Sequence, residues 1–319
     1  MKTRKDLSIV FMGTPDFAVG ILDSIYKSNF TIKGVVTSPD KPSGRGLQLN
    51  ESAVKKYASE HNLNILQPEK LKDEAFLKEL QFLNADLFVV VAFRMLPEQV
   101  WGMPKFGTIN LHASLLPQYR GAAPINWALI SGEKTSGVTT FFIEKAIDTG
   151  KIIEQATVDI DKDENFGNLY HRLMNLGAET MLSTLDKINN GQIQPVDQDK
   201  MIHDELKAAP KIFKEDCKIE WNNKIENVHN FVRGLSPYPT AWTILLNKNT
   251  GEKKQFKIFS GEITSIPIEN NNLKINNDGI LFPCLDFYYA VNELQMEGKR
   301  RMHFKEFLAG NKIEQWELI

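Results

Sequence analysis

Cysteine is scarce in this chain: Cys217 and Cys284 are the only two in 319 residues, far apart and with no His or Cys at ligand spacing beside them. A disulfide-stapled scaffold and a cysteine-held metal site are therefore excluded, and both read as reduced core or surface thiols. Long apolar runs are lacking too; none approaches the roughly 18 residues that cross a bilayer as a helix. The basic start, Met1 to Asp6, leads into Leu7 to Phe11, which is too short for a signal-peptide core, so a cytoplasmic protein with no membrane partner is expected. Net charge is nearly absent at −2. From Lys211 onward there are 15 Lys and Arg against 14 Asp and Glu, and 23 against 26 before it, a difference too small to announce a nucleic-acid partner. Phe11-Met12-Gly13-Thr14-Pro15 offers one glycine where a dinucleotide fingerprint needs three, which argues against a dehydrogenase. No internal repeat or low-complexity segment stands out.

What is present is an ordinary globular balance, 42% hydrophobic and 24% charged, on a chain long enough for two cores. Strand patterns at Ser8 to Met12, Ile32 to Thr37, Leu87 to Ala92, Thr108 to His112 and Val138 to Ile143 alternate with helical ones at Pro15 to Ser28, Ser52 to Glu60 and Asp73 to Leu80. That order predicts an α/β domain, a Rossmann-like, mostly parallel sheet with helices on both faces. Two further strands are expected, Lys151 to Thr157 among them, and a long helix over Asn165 to Asn189 closes a first domain, residues 1–190. Residues 191–210 are polar and aperiodic and read as a linker. From Lys211 to Ile319 a helix at Lys224 to Arg233 precedes short strand-like runs at Ala241 to Leu246, Gln255 to Ile258, Leu273 to Ile275, Gly279 to Pro283 and Phe287 to Val291. With Asn- and Gly-rich turns between them, they predict a smaller C-terminal OB-like β-barrel domain.

Asn110 and His112 are polar residues inside an apolar strand. Two apart, they project from one face, at the strand end where ligands bind in such sheets. Read alone, the alternation fits a half-buried strand with satisfied polar groups better than it fits a site. The surrounding word, Asn110-Leu111-His112-Ala113-Ser114-Leu115-Leu116-Pro117-Gln118-Tyr119-Arg120-Gly121 through Pro124-Ile125-Asn126-Trp127, resembles the signature of the folate-dependent formyltransferases, in the long form of those members that act on methionyl-tRNA. The resemblance spans essentially the whole chain and is strongest here.

That resemblance implies transfer of a formyl group from 10-formyltetrahydrofolate to the α-amine of the methionine on initiator tRNA, for translation initiation. The reaction passes through a tetrahedral intermediate carrying an oxyanion and a charged nitrogen. An amide N–H and an imidazole can stabilise the oxygen and move the protons. Asp148, before Thr149-Gly150, is by itself an ordinary turn residue; the family places its acidic partner in this loop, so Asn110, His112 and Asp148 form the implied catalytic set. Ser114-Leu115-Leu116-Pro117, otherwise a strand exit stopped by proline, matches the folate-contacting loop. Phe93 falls where relatives line the pterin pocket, although the family's Ala-Tyr-Gly is here Ala92-Phe93-Arg94, which leaves the backbone path open. No metal is implied.

Ser38 to Leu49 is a Pro/Gly-rich loop that by composition is an ordinary mobile surface segment. It resembles the insertion that reaches the acceptor end of the tRNA, with Arg45 at the key arginine and Lys41 beside it. In the C-terminal half, Trp221, Arg233 to Pro239 and Ala241-Trp242 are in register with the family's OB-like module. The basic run Lys299-Arg300-Arg301 is either a solvated face or a phosphate contact, and the aromatics there read as core. A monomer is expected. The alternatives are a sugar-nucleotide formyltransferase, which shares the trio, and a non-enzymatic folate- or RNA-binding module on the same fold.

Overall fold

An unbroken apolar strand needs cover on both faces, and the first one, Ser8–Gly13, is buried along its whole length. The computed structural model describes residues 7–43 and 48–319; Met1 to Asp6 and Gly44 to Leu47, with Arg45, lie outside the described residues. The first half runs β1 (Ser8–Gly13), α1 (Asp16–Tyr26), β2 (Thr31–Val36), α2 (Ala53–Glu60), β3 (Ile65–Leu66), α3 (Glu74–Phe82), β4 (Leu87–Val91), β5 (Thr108–His112), α4 (Pro124–Ile130), β6 (Thr135–Phe142), β7 (Ile152–Asp159) and α5 (Phe166–Asn189). The sheet order is β3-β2-β1-β4-β5-β6-β7. The first five strands are parallel and β6 pairs antiparallel with β5, giving the Rossmann-like α/β domain expected. Ser52 and Asp73 stand outside their helices as N-caps, accepting from the Lys55 and Phe76 N–H groups at 3.0 Å each.

Alternation decides what each face carries. Val10 and Met12 join Phe88 and Val90 under Phe76 and Leu80 of α3. Through the register Phe88↔Thr108 and Val90↔Asn110, Asn110 and then His112 belong to that same face. Leu111 turns to the other face, where α5 passes so closely that a Cβ on Gly177 would lie 2.7 Å from its side chain. Burying such leucines and phenylalanines contributes about 2 kcal/mol each, which holds the strand end in place.

The chain forms two compact units. One comprises residues up to Pro124 with Ser136–Val158 and Tyr170–Ala208; the other joins Ile125–Thr135 and Asp159–Leu169 to Ala209–Ile319. Within residues 191–210, expected to be a linker, Val196 and Gln198 are tied to the first unit. Ile152 and Val196 exchange two backbone hydrogen bonds of 2.8 Å, and Gln198, in a short 3-10 turn, is 2% exposed. This burial is polar and fully hydrogen-bonded, so no apolar periodicity could reveal it.

The second unit contains α6 (Ile225–Leu235), β8 (Ala241–Asn247), β9 (Lys253–Pro267), β10 (Lys274–Ile275), β11 (Ile280–Pro283), β12 (Phe287–Met296), β13 (Met302–His303), α7 (Phe304–Gly310) and β14 (Trp316–Leu318). Its antiparallel sheet runs β10-β11-β12-β9-β8-β14, and β10 reaches the 3-10 turn Ile313–Gln315 that leads into the opposite edge strand, an OB-like curl. The run expected only at Gln255 to Ile258 extends to 15 residues. Register shifts against β12 at Ile258 to Gly261 interrupt the alternation by which a strand is read from sequence. Trp221 stacks on Phe282 at 4.6 Å and donates to Thr243 Oγ1 at 3.0 Å, a core role, whereas Phe213 is 55% exposed and Trp242 half-buried. Cys217 and Cys284 are both buried, and burial pushes the Cys284 thiol up to about 12.

On α6, Arg233 donates to the Glu164 carbonyl at 3.1 Å, and Asn126 donates to the Gly234 carbonyl at 2.8 Å. His229 is buried one turn away, its rings' nitrogens 3.3 Å from the Tyr289 hydroxyl and 3.4 Å from the Lys162 carbonyl. Burial holds its pKa below the ordinary histidine value, and the Arg233 charge acts in the same direction. The folded state thus resists a proton that the unfolded chain accepts. The stability involved is fully present above the ordinary histidine pKa and is lost as pH falls from there through the depressed folded-state value. The unfolding midpoint is expected to drop between about pH 7.5 and about pH 5.5, and His229→Gln to flatten that dependence; an equal slope in the variant would assign it to other groups.

Candidate active site

At the carboxyl end of β5, His112 is 7% exposed and its Nε2 lies 2.8 Å from the Tyr119 carbonyl oxygen. A carbonyl only accepts, so this nitrogen carries the proton and the neutral ring presents its Nδ1 lone pair. Nδ1 stands 3.9 Å from Asp148 Oδ2, beyond hydrogen-bond range and within reach of a charge on the ring. The same carboxylate oxygen accepts from the Gly121 N–H at 3.0 Å. Asn110 is half-buried on the same face, and its amide makes no hydrogen bond to another of the described residues. An amide of this kind is free to serve something else.

The return of the chain to the ring is held by Thr139 of β6, directly opposite His112 in register. Its hydroxyl donates to the Ser114 carbonyl at 2.7 Å and accepts from the Leu116 N–H at 3.1 Å and from Gln155 Nε2 at 2.9 Å. Gln155 also binds the Leu116 carbonyl at 2.9 Å, and Ser114 Oγ donates to the Gln118 carbonyl at 2.7 Å. Leu116 packs with Phe141, Ile152 and Met201, while Leu115 is half-buried and Pro117, in a cis peptide, is buried. Much of the loop expected to meet folate is therefore committed to holding itself. Tyr119 then adopts a left-handed φ of 61° and Asp148 one of 53°. Such backbone costs about 1 kcal/mol or more at a residue other than glycine, and the contacts just described offset it. Gly150 has no alternative, since a Cβ there would lie 1.7 Å from the Phe142 carbonyl oxygen.

Tyr119, Arg120 and Gly121 all reach the site: the Tyr119 carbonyl meets His112, the Arg120 guanidinium donates to Gln198 and the Gly121 N–H donates to Asp148. All three stand in the family word, with nothing in residue order to mark these roles. Gln198 and Thr139 carried no signal at all.

Phe93 is half-buried and packs against the α3-side core at the end of β4, the strand beside β5. The left-handed residue here is Ala92, φ 46°, so Arg94 needs no glycine conformation. Its guanidinium donates to the carbonyls of Pro68 and Glu69 and lies 5.5 Å from the Phe93 ring centre; partial burial lowers its pKa. Leu71, Lys72, Arg94 and Met95 are among the residues that line an open pocket of about 590 Å³, which does not include the trio.

Of the expected RNA contacts, Lys41 is exposed on a short ladder, paired with Asn50. Lys299 is exposed. Arg300 and Arg301 are held by Glu306 and Glu293, and Arg301 also lies 4.4 Å over the Phe259 ring. Exposed pairs of this kind are weak, and a phosphate could compete for either guanidinium. Among the described residues no group of His, Cys, Asp and Glu could hold a metal ion, and no helix is long and apolar enough to cross a membrane.

Thr139→Val removes a buried hydroxyl with three partners. It is expected to destabilise the protein by about 2 kcal/mol in denaturant unfolding; a loss below about 0.5 kcal/mol would show that the loop finds other partners.

The Formyl transferase family matches residues 7–185, and Formyl transferase, C-terminal domain, matches residues 211–312. The methionyl-tRNA formyltransferase of Bacteroides thetaiotaomicron is 49% identical over 317 residues, 97% of each chain. That of Flavobacterium johnsoniae is 49% identical over 306 residues, 95% of this chain and 96% of the relative. Among solved structures, WlaRD, a sugar 3N-formyl transferase crystallised with dTDP and 5-N-formyl-THF, superposes with a TM-score of 0.65 at 20% identity, over 93% of this chain and all (100%) of that one. HypX from Aquifex aeolicus, in complex with tetrahydrofolic acid, gives 0.64 at 15% identity, over 95% of this chain and 47% of that one. These two share the fold. The full-length relatives and both family matches go further: the chain belongs to the formyl transferase family, and within it to the methionyl-tRNA formyltransferases.

Proposed function

We propose that the protein transfers the formyl group of 10-formyltetrahydrofolate to the α-amino group of methionyl initiator tRNA, giving N-formylmethionyl-tRNA for translation initiation. Near half identity over nearly the whole length of relatives that bear this activity's name carries the choice of acceptor. The chemistry is supported by an unclaimed amide at Asn110 beside an imidazole whose protonated nitrogen is already engaged.

In this reading the methionine amine attacks the formyl carbon and the carbonyl electron pair moves onto oxygen. Asn110 Nδ2–H donates to that oxyanion, a contribution of about 3 kcal/mol to the barrier. His112 Nδ1 takes the proton that the attacking nitrogen sheds. The imidazolium so formed faces Asp148, whose carboxylate Gly121 holds in place. When the intermediate collapses, the bond from carbon to the folate nitrogen breaks, and His112 returns the proton to that nitrogen to give tetrahydrofolate. Because Nε2–H is engaged by Tyr119, the geometry favours His112 as proton carrier over oxyanion donor.

Residues 1–190 would carry this chemistry, with Phe93 and the Ser114 to Pro117 loop beside the folate, and residues 211–319 the tRNA, reached also by Lys41, Arg45, Lys299, Arg300 and Arg301. The protein would act as a cytoplasmic monomer. A tRNA acceptor is preferred to an amino-sugar nucleotide by the full-length relatives.

Purified protein with 10-formyltetrahydrofolate is expected to formylate methionyl initiator tRNA and leave an amino-sugar nucleotide untouched; the reverse pattern overturns the acceptor. His112→Ala should lower kcat by about a hundredfold or more with the fold intact, and Asn110→Ala by a similar factor. Full turnover in either variant removes that residue from the site. Arg45→Ala is expected to raise KM for the charged tRNA about tenfold and leave that for folate unchanged; a matching loss of folate affinity would assign the loop to the donor.

A further inference from the structure

Gln198 lies in the segment whose composition reads as a linker, yet it is 2% exposed and its amide is fully engaged. Nε2 donates to the Asp148 carbonyl at 3.0 Å and to the Gly150 carbonyl at 2.8 Å. Oε1 accepts from Arg120 Nε at 3.0 Å and Nη2 at 2.7 Å. A primary amide has two donors and two acceptor sites, and all four are used. Its orientation follows from the partners, because a flipped amide would set N–H groups against a guanidinium and an oxygen against two carbonyls.

Both ends of this bracket lead to the same carboxylate. One end grips the backbone of Asp148 and Gly150, a loop in which Asp148 is left-handed and Gly150 admits no side chain. The other end grips Arg120, and the next residue in the chain, Gly121, donates its N–H to Asp148 Oδ2. Gln198 is itself fixed by the Ile152–Val196 bridge and by Met201 packed against Leu116, Phe141 and Ile152. We infer that Gln198 is a positioning residue, which ties the Asp148 loop to the Tyr119-Arg120-Gly121 turn and so sets the carboxylate opposite His112 Nδ1.

The choice of an amide over a carboxylate follows from the same contacts. A glutamate would hold Arg120 more strongly, but it would turn an anion toward two carbonyl oxygens and cancel the charge of a guanidinium that has no carboxylate partner among the described residues. The inference rests on the catalytic reading above for its consequence in turnover, and on geometry alone for its consequence in the loop.

Gln198→Glu in the full-length protein separates the two. It keeps the acceptor for Arg120 and loses both donors to the loop. The expected result is a kcat lower by about tenfold to a hundredfold, with KM for folate and for charged tRNA changed by no more than about twofold. The ratio of variant to wild-type kcat should climb toward acid pH, as protonation of the new carboxyl returns one O–H donor; a general loss of stability would not produce that recovery. Hydrogen exchange is expected to accelerate in residues 144–151 and stay unchanged in β1, β4 and β5. Gln198→Met, which supplies neither donor nor acceptor, should accelerate the same segment without the acid recovery. Wild-type kcat in Gln198→Glu, a loss confined to KM, or unchanged exchange at 144–151 overturns the inference. If the wild-type protein formylates no methionyl-tRNA, the catalytic reading falls, and the exchange of 144–151 still decides whether Gln198 holds the loop.

Discussion

The proton on His112 Nε2 is held by the carbonyl of Tyr119, and the arrangement of the site follows from that hydrogen bond. A donor at this nitrogen leaves the other as the base. For a carbonyl only seven positions downstream to reach the ring, the chain must leave β5, reverse and return. Thr139 binds the outgoing limb, and the Lys207 carbonyl accepts from the Tyr119 N–H at 2.7 Å on the returning one. The left-handed Tyr119 is the conformational cost of the reversal. Gly121, two residues further, then falls where its N–H meets Asp148.

The site is therefore a clasp of three chain segments rather than a set of side chains on a strand. Residues 113–121, the loop before Gly150 and the turn around Gln198 are each irregular, and their apolar packing is confined to a small cluster in which Leu116 and Met201 meet Phe141 and Ile152. Each is ordered by hydrogen bonds that the other two complete. Interactions of this kind lose more when one partner is removed than their mean strength implies, because the abandoned groups are already out of water.

This division governs how much could be read in advance. The apolar runs of β1 and β4 and the same-face pair Asn110 and His112 are products of patterning and strand geometry, both legible in residue order. Tyr119, Arg120 and Gly121 were conspicuous as a word, but their work is done largely by main-chain groups, which every residue possesses. Gln198 was invisible because a buried amide satisfied by backbone looks, in sequence, like a surface amide. In the second unit the extension of β9 past Ile258 was hidden by its register shifts, and the carboxylates that hold Arg300 and Arg301 come from positions with no local relation to a basic run.

The composition of the second unit has a consequence for the order in which the protein can be made. Residues of α4 and the segment Asp159–Leu169 leave the ribosome well before α6, which supplies Gly234 to Asn126 and Arg233 to Glu164. During elongation the seven strands of the first unit's main sheet are all available once Asp159 is made, whereas Ile125, Ala128 and Leu129 have apolar surfaces whose own unit is not yet synthesised. Folding of this chain is accordingly not a succession of one unit and then the next. The nascent polypeptide holds two separate pieces of its second unit, Ile125–Thr135 and Asp159–Leu169, in reserve until the residues from Ala209 onward that complete it are made.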